Sequence, residues 1–271
     1  MRRVVFGLYT YFEFFALALA FAVIMTIVAW IEPGGAAPRR RGRWMRRFGR
    51  LTSRLTPLWR FSVDGAGPED ISTRGYVVVS NHESSSDPFL LSFLPWDMRW
   101  IAKEEMFRWP VIGRLMSASG DIPLRRGDRE SVKRMFASCD ETLRAGLSVM
   151  LFPEGTRSPD GNLLPFKPGA FEMAIAAGAP ILPLAIDGTR ECRPKGSLWF
   201  GDARAVVRVL APIPTQGMTM NDVQKLADLT RDRIALGVRS LRGEAPAPAS
   251  AELAPSELPA IPARARNAEL R

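Results

Sequence analysis

A chain of 271 residues, 46% of them hydrophobic, has room for one large α/β domain with appendages. Its formal charge of +9 points to an anionic partner, whether nucleic acid, a phospholipid surface or an acidic carrier or substrate, and composition alone leaves that choice open. Cys139 and Cys192, far apart and in no CxxC pattern, argue against a disulfide framework and a zinc site, and a single histidine excludes a multi-histidine metal centre, so any imidazole chemistry runs through His82.

In chain order, Val4 to Ile31 is apolar almost throughout, with Glu13 as the one acidic interruption. The uninterrupted part, Phe14 to Ile31, reaches about 27 Å as a helix, just short of a hydrocarbon core of about 30 Å, so residues 1–31 read as a membrane anchor of marginal span. Arg2 and Arg3 before the run and Gly35-Ala36-Ala37 after it also suit a cleaved secretory signal. The run is much longer than a signal core of about 7 to 15 residues, however, and the arginines beyond it oppose export.

Residues 32–56 carry Arg39, Arg40, Arg41, Arg43, Arg46, Arg47, Arg50 and Arg54, interleaved with Trp44, Phe48, Leu51 and Leu55. If this stretch is helical, the four apolar residues share one face and the arginines crowd the rest, which describes a basic amphipathic interfacial helix. A nucleic-acid arm fits less well, because the run abuts the apolar anchor. Arginines beside an anionic leaflet gain about 1 kcal/mol each, and the positive-inside rule places this side in the cytoplasm, at the inner membrane.

Residues 57–242 alternate short β-branched runs with amphipathic stretches, the pattern of βαβ units. The expected architecture is α/β, a mostly parallel sheet flanked by helices, with an N-terminal membrane-anchoring helical segment. Strands are predicted at 75–80, 99–102, 121–124, 148–153, 181–186 and 203–210, and helices at 88–94, 110–118, 128–144, 169–177 and 221–241. Residues 243–271, rich in Ala, Pro and Glu with little aromatic content, read as a disordered tail.

Two segments carry chemistry. The strand Tyr76-Val77-Val78-Val79 runs into Ser80-Asn81-His82-Glu83-Ser84-Ser85-Ser86-Asp87-Pro88, and ligands gather at the carboxyl ends of strands in open α/β sheets. Five residues of α-helix turn about 500°, which would part His82 from Asp87, so the two meet only across a turn, for which Asn81 and the serines are suited. There His82 has the makings of a general base and Asp87 of the carboxylate that orients it. Asp87-Pro88 is equally a good helix N-cap and N1 pair.

The second segment, Phe152-Pro153-Glu154-Gly155-Thr156-Arg157-Ser158, also follows an apolar strand. A glycine that admits close approach of the backbone, and a guanidinium fork, suit an anion; a loop ion pair between Glu154 and Arg157 is the plainer alternative. Lys103 and Arg126 stand at two further predicted strand ends, each an ordinary surface charge alone and a candidate phosphate ligand together. No G-x-S-x-G elbow, P-loop, H-E-x-x-H or dinucleotide glycine fingerprint is present.

Residues 81–87 resemble the N-H-x4-D block of the glycerolipid acyltransferases, and residues 152–158 resemble their F-P-E-G-T-R-S block, in that order and about seventy residues apart. Gly120 to Arg126 is similar to their G-x-x-F-I-x-R block, with Pro123 and Leu124 where Phe and Ile are usual, and Ile181 to Ile186 to their proline-centred apolar block. The resemblance covers roughly 61–210 and implies a 1-acyl-sn-glycerol-3-phosphate acyltransferase.

In such an enzyme His82 would deprotonate the acceptor hydroxyl, with Asp87 holding the ring. Glu154, Gly155, Thr156, Arg157, Arg126 and Lys103 would form the acceptor site. The implied partners are a lysophospholipid, acyl-CoA or acyl carrier protein as donor, and an anionic membrane surface, with no nucleic acid, metal or cofactor. Lyso-ornithine lipid, another lysophospholipid or glycerol-3-phosphate remain open as acceptors, and a membrane-bound scaffold that binds anionic lipid without turnover is the rival from another class.

Overall fold

The computed structural model describes residues 2–31, 37–193 and 196–244. Residues 245–271 of the expected tail, and residues 32–36 at the start of the expected interfacial helix, lie outside them. The described chain runs α1 (Arg2–Ile31), α2 (Ala37–Leu55), β1 (Trp59–Asp64), β2 (Val77–Ser80), α3 (Asp87–Leu91), β3 (Met98–Lys103), α4 (Ile112–Ser119), β4 (Ile122–Leu124), α5 (Arg129–Arg144), β5 (Ser148–Leu151), α6 (Gly169–Ala177), β6 (Ile181–Asp187), β7 (Ala203–Val209) and α7 (Val223–Leu241).

The strands form one sheet in the order β1-β7-β6-β2-β5-β3-β4. The pairs β2–β5, β2–β6, β3–β5 and β3–β4 are parallel, so five strands share a direction; β7 is antiparallel to β6 and carries β1 parallel to itself. The expectation of a mostly parallel sheet flanked by helices holds. The reversal of β7 was not legible, and β1 was not foreseen: as an edge strand buried on alternate residues only, it lacks the continuous apolar run of the inner strands.

At the centre, β2 is buried on both faces. Val77 and Val79 enter one core with Met135 of α5, Phe171 of α6 and Ile234 of α7, while Val78 enters the other with Leu90, Leu91 and Leu94. This two-sided burial is why the strand reads as an unbroken β-branched run. It also fixes the residues that follow it at the carboxyl edge of the parallel strands.

Ahead of the sheet, α1 is one continuous helix of 30 residues, and Val4–Val28 is its stretch long and apolar enough to cross a membrane. Two faces divide it. Ala18, Phe21 and Met25 pack on Phe48 of α2 and Leu115 of α4, whereas Val5, Leu8, Phe12, Phe15, Leu19, Val23, Ile27 and Trp30, spaced three or four apart, form an exposed apolar stripe. Glu13 does not break the helix because it turns to the protein side, where its carboxylate accepts a hydrogen bond from Thr56 Oγ1 at 3.2 Å.

The face expected to unite Trp44, Phe48, Leu51 and Leu55 is divided too. Phe48 is buried, but Leu51 and Leu55 are exposed, and α2 meets the domain through Gly42, Arg46, Gly49, Thr52 and Ser53. Small residues win that face because they allow close approach: a Cβ on Gly49 would stand 2.3 Å from Ser92 Oγ. Three of the arginines serve the same joint. Arg43 and Arg46 pair with Asp97, and the Arg50 guanidinium donates to the Ser92 carbonyl at 3.1 Å, which leaves Arg47 and Arg54 exposed.

Candidate active site

The ladder between β2 and β6 continues one residue past the strand because Asn81 imitates backbone. Its Nδ2 donates to the Ile186 carbonyl and its Oδ1 accepts from the Ile186 N–H, both at 2.8 Å. His82 is thereby delivered just beyond the sheet edge. Its side chain is 19% exposed, and the ring stacks on Phe152, with centroids 4.0 Å apart and planes 14° from parallel.

Asp87 is fully buried, and its Oδ2 lies 2.6 Å from His82 Nδ1. The same carboxylate accepts from the backbone N–H of Glu83 at 2.9 Å and of Ser84 at 3.1 Å, and from the Thr189 hydroxyl. These donors close residues 82–87 into the turn the spacing required. They also settle the alternative role: Asp87 lies within α3, whose N-cap is Ser86, and its carboxylate serves the preceding loop rather than the helix end.

The second segment clasps the first. Glu154 Oε1 accepts from the His82 N–H at 2.8 Å and Oε2 accepts from the Leu164 N–H at 3.1 Å, while the Ser158 N–H donates to the His82 carbonyl at 2.9 Å. Burial pushes the Glu154 carboxyl above its ordinary range despite these bonds. Among the described residues Glu154 makes no ion pair with Arg157. Its carboxylate shapes the site by holding two loops together.

Between those clasps lie Gly155, Thr156 and Arg157. Gly155 has φ of +71°, and the Lys167 side chain lies over it, so that a Cβ there would meet Lys167 Nζ at 3.1 Å. Only glycine suits both demands. Lys167 was missed in the sequence, where nothing ties it to a glycine twelve residues earlier. Among the described residues neither Lys167 nor Arg157 pairs with a carboxylate, and the same holds for Lys103 and Arg126. Arg125, next to Arg126, is by contrast bound to Glu104 at 2.6 Å.

Lys103 ends β3 and Arg126 follows β4, on the same edge as His82 but two and three strands from β2. At a strand spacing of about 4.8 Å that is roughly 10 and 14 Å between backbones. The structure thus brings His82, Asp87 and Glu154 into contact, sets Arg157 in the loop beside them, and leaves Lys103 and Arg126 at the rim. Thr189, which follows β6 and donates to Asp87, was also missed, having no local signal so far along the chain.

A buried carboxylate behind an imidazole at the edge of a mostly parallel sheet is an arrangement suited to moving a proton from a hydroxyl. A family model described as Acyltransferase matches residues 62–187, which hold both clasped segments. The chain belongs to the glycerolipid acyltransferase family, 1-acyl-sn-glycerol-3-phosphate acyltransferase type.

A 1-acyl-sn-glycerol-3-phosphate acyltransferase of Limnanthes alba is 30% identical over 232 residues, 80% of either chain. A chloroplastic protein of that name from Brassica napus is 36% identical over 71% of this chain, which spans only 57% of the relative's length. The crystal structure of the 1-acyl-sn-glycerophosphate acyltransferase PlsC from Thermotoga maritima superposes with a TM-score of 0.74 at 25% identity, over 91% of this chain and 98% of that one.

Proposed function

We propose that the chain moves a fatty acyl group from an acyl thioester, acyl-CoA or acyl carrier protein, to the sn-2 hydroxyl of 1-acyl-glycerol-3-phosphate, giving phosphatidic acid and a free thiol. One observation carries the reading: His82 Nδ1 is held by a buried carboxylate, which leaves Nε2 to take a proton. The acceptor oxygen gives its proton to Nε2 as it attacks the thioester carbonyl. The C–O bond forms, the C–S bond breaks, and the imidazolium returns the proton to the departing thiolate, with no acyl-enzyme. Asp87 and the face of Phe152 both favour the transient imidazolium.

Arg157, with Gly155 and Thr156, binds the acceptor phosphate; Lys103 and Arg126 reach it from the rim, and Glu154 keeps the pocket in shape. Cations without a carboxylate partner among the described residues, grouped along the carboxyl edge of the sheet, support this assignment, as do the names of the relatives. The exposed stripe of α1 seats the protein in the membrane, where acceptor and product reside. Arg47 and Arg54 face its anionic surface, on the cytoplasmic side of the inner membrane. No metal or cofactor enters the scheme.

The full-length protein, offered labelled acyl-CoA and acyl carrier protein donors with a panel of acceptors, tests the proposal. Acylation of 1-acyl-glycerol-3-phosphate is expected. Turnover confined to lyso-ornithine lipid, another lysophospholipid or glycerol-3-phosphate would reassign the acceptor, and lipid binding without turnover on any of them would reduce the protein to a scaffold.

A further inference from the structure

One guanidinium from outside both motif segments reaches the loop that carries the imidazole. Arg242, directly after α7, donates through Nε to Asp187 at 2.7 Å and through Nη2 to Glu83 at 3.0 Å and to the Gly161 carbonyl at 3.2 Å. Each acceptor adjoins a group that holds His82. Glu83 is the next residue, and its N–H donates to Asp87. Asp187 ends β6 two residues before Thr189, whose hydroxyl donates to Asp87. The Gly161 N–H donates to the Ser158 hydroxyl at 2.9 Å, and the Ser158 N–H holds the His82 carbonyl.

Resting on the acyl-transfer reading above, we propose that Arg242 is a positioning residue for the His82–Asp87 base, fastening the 82–87 turn, the 158–161 loop and the end of β6 to the last turn of α7. Glu83, at a motif position with no assigned task, is the handle. Burial first, then Asp87 and Asp187, push its carboxyl up to about 8, and Arg242 pulls the other way. The other charges nearby are Glu191 beside Glu83, Glu244 beside Arg242, and Asp87 and Glu154 around the ring.

A purely structural role has an internal control. Arg208 of β7 reaches the same end of α7, pairing with Asp64 at 2.6 Å and with the Ser240 hydroxyl at 2.8 Å, and its side chain is as exposed as that of Arg242, at 29%. Among the described residues it makes no hydrogen bond or ion pair with residues 82–87.

Full-length wild type, Arg242→Gln, Arg242→Lys and Arg208→Gln are compared for acyl transfer to 1-acyl-glycerol-3-phosphate, for melting temperature, and for the ring 15N chemical shifts of histidine at one pH, which in a chain with one histidine report His82 alone. Arg242→Gln is expected to lower kcat about 10- to 100-fold, the scale of a small displacement of a reacting group, with acceptor KM within about twofold. The ring 15N chemical shifts should move from those of wild type, because the turn that seats the hydrogen bond between Nδ1 and Asp87 is no longer fastened. Arg242→Lys should keep the wild-type shifts and recover part of kcat, and Arg208→Gln should match wild type in both.

Wild-type kcat and ring shifts in Arg242→Gln would overturn the proposal, as would an equal loss of activity in Arg208→Gln. If Arg242→Gln does not fold, Arg242→Lys decides, and an unreduced kcat there counts against the bridge. A wild-type protein inactive on every acceptor of the panel refutes the acyl-transfer reading instead, and the histidine shifts still show whether Arg242 governs the ring.

Discussion

At the scale of single residues, His82 is held at both of its backbone atoms and at Nδ1, which leaves one ring nitrogen for chemistry. General-base help is worth about 10² to 10⁴ in rate, so His82→Ala should lose that much of kcat while far-UV circular dichroism and melting stay near wild type. A variant retaining most of its turnover would remove the base assignment. The anion site divides differently. Arg157→Ala should raise the acceptor KM roughly tenfold or more, the worth of a charge-assisted hydrogen bond, with kcat changed less, and Lys167→Ala should do the same more weakly. Steady-state kinetics against acceptor concentration separates the two constants, and an unmoved KM in both variants would place the phosphate elsewhere.

His82, Asp87 and the 152–158 segment could be read from the chain because each lies within one loop, where spacing and turn chemistry are local. Thr189 and Arg242 were invisible for the opposite reason. Their partners in the 82–87 turn are more than a hundred residues away in sequence, and an isolated threonine or an arginine at a helix end has no periodicity to betray it.

At the scale of elements, α1 and α2 show how apolarity foretells a helix without foretelling its partner. An almost uniformly apolar α1 gives no sign of which face meets protein; Glu13 marks that face only once Thr56 is seen opposite it. In α2 the glycines decided the contact over the larger apolar residues. Removing α1 would strip the cover from Phe48 and Leu115, so truncation confounds membrane release with unfolding. Leu19→Lys with Val23→Lys charges only the exposed stripe. That double variant should leave the membrane pellet for the supernatant at high salt, where the arginines of α2 are screened, while melting within a few degrees of wild type, since exposed substitutions usually cost within about 0.5 kcal/mol each. Persistent pelleting of a folded variant would mean that another surface anchors the protein.

At the scale of the whole molecule, the joint between the N-terminal helices and the sheet closes on Asp121. This carboxylate accepts from the Trp100 N–H of β3 at 3.1 Å and from Ser119 Oγ at the end of α4 at 2.8 Å, with Arg99 and, from α2, Arg46 nearby. Burial pushes it up to about 6, against the pull of those hydrogen bonds and guanidinium groups. From about pH 4 to 6 the unfolded chain has released this proton while the folded chain keeps it, so the folded state binds more protons and stability falls as pH rises through that window. Above it both states are ionised and the dependence ends. Asp121→Asn keeps a carbonyl acceptor for Trp100 and cannot titrate. The melting temperature of the variant minus that of wild type should therefore climb between pH 4 and 6 and level off beyond, a shape readable from parallel thermal melts because titrations common to both proteins cancel in the difference. A flat or falling difference would show that the guanidinium groups outweigh burial at this joint and hold Asp121 ionised throughout.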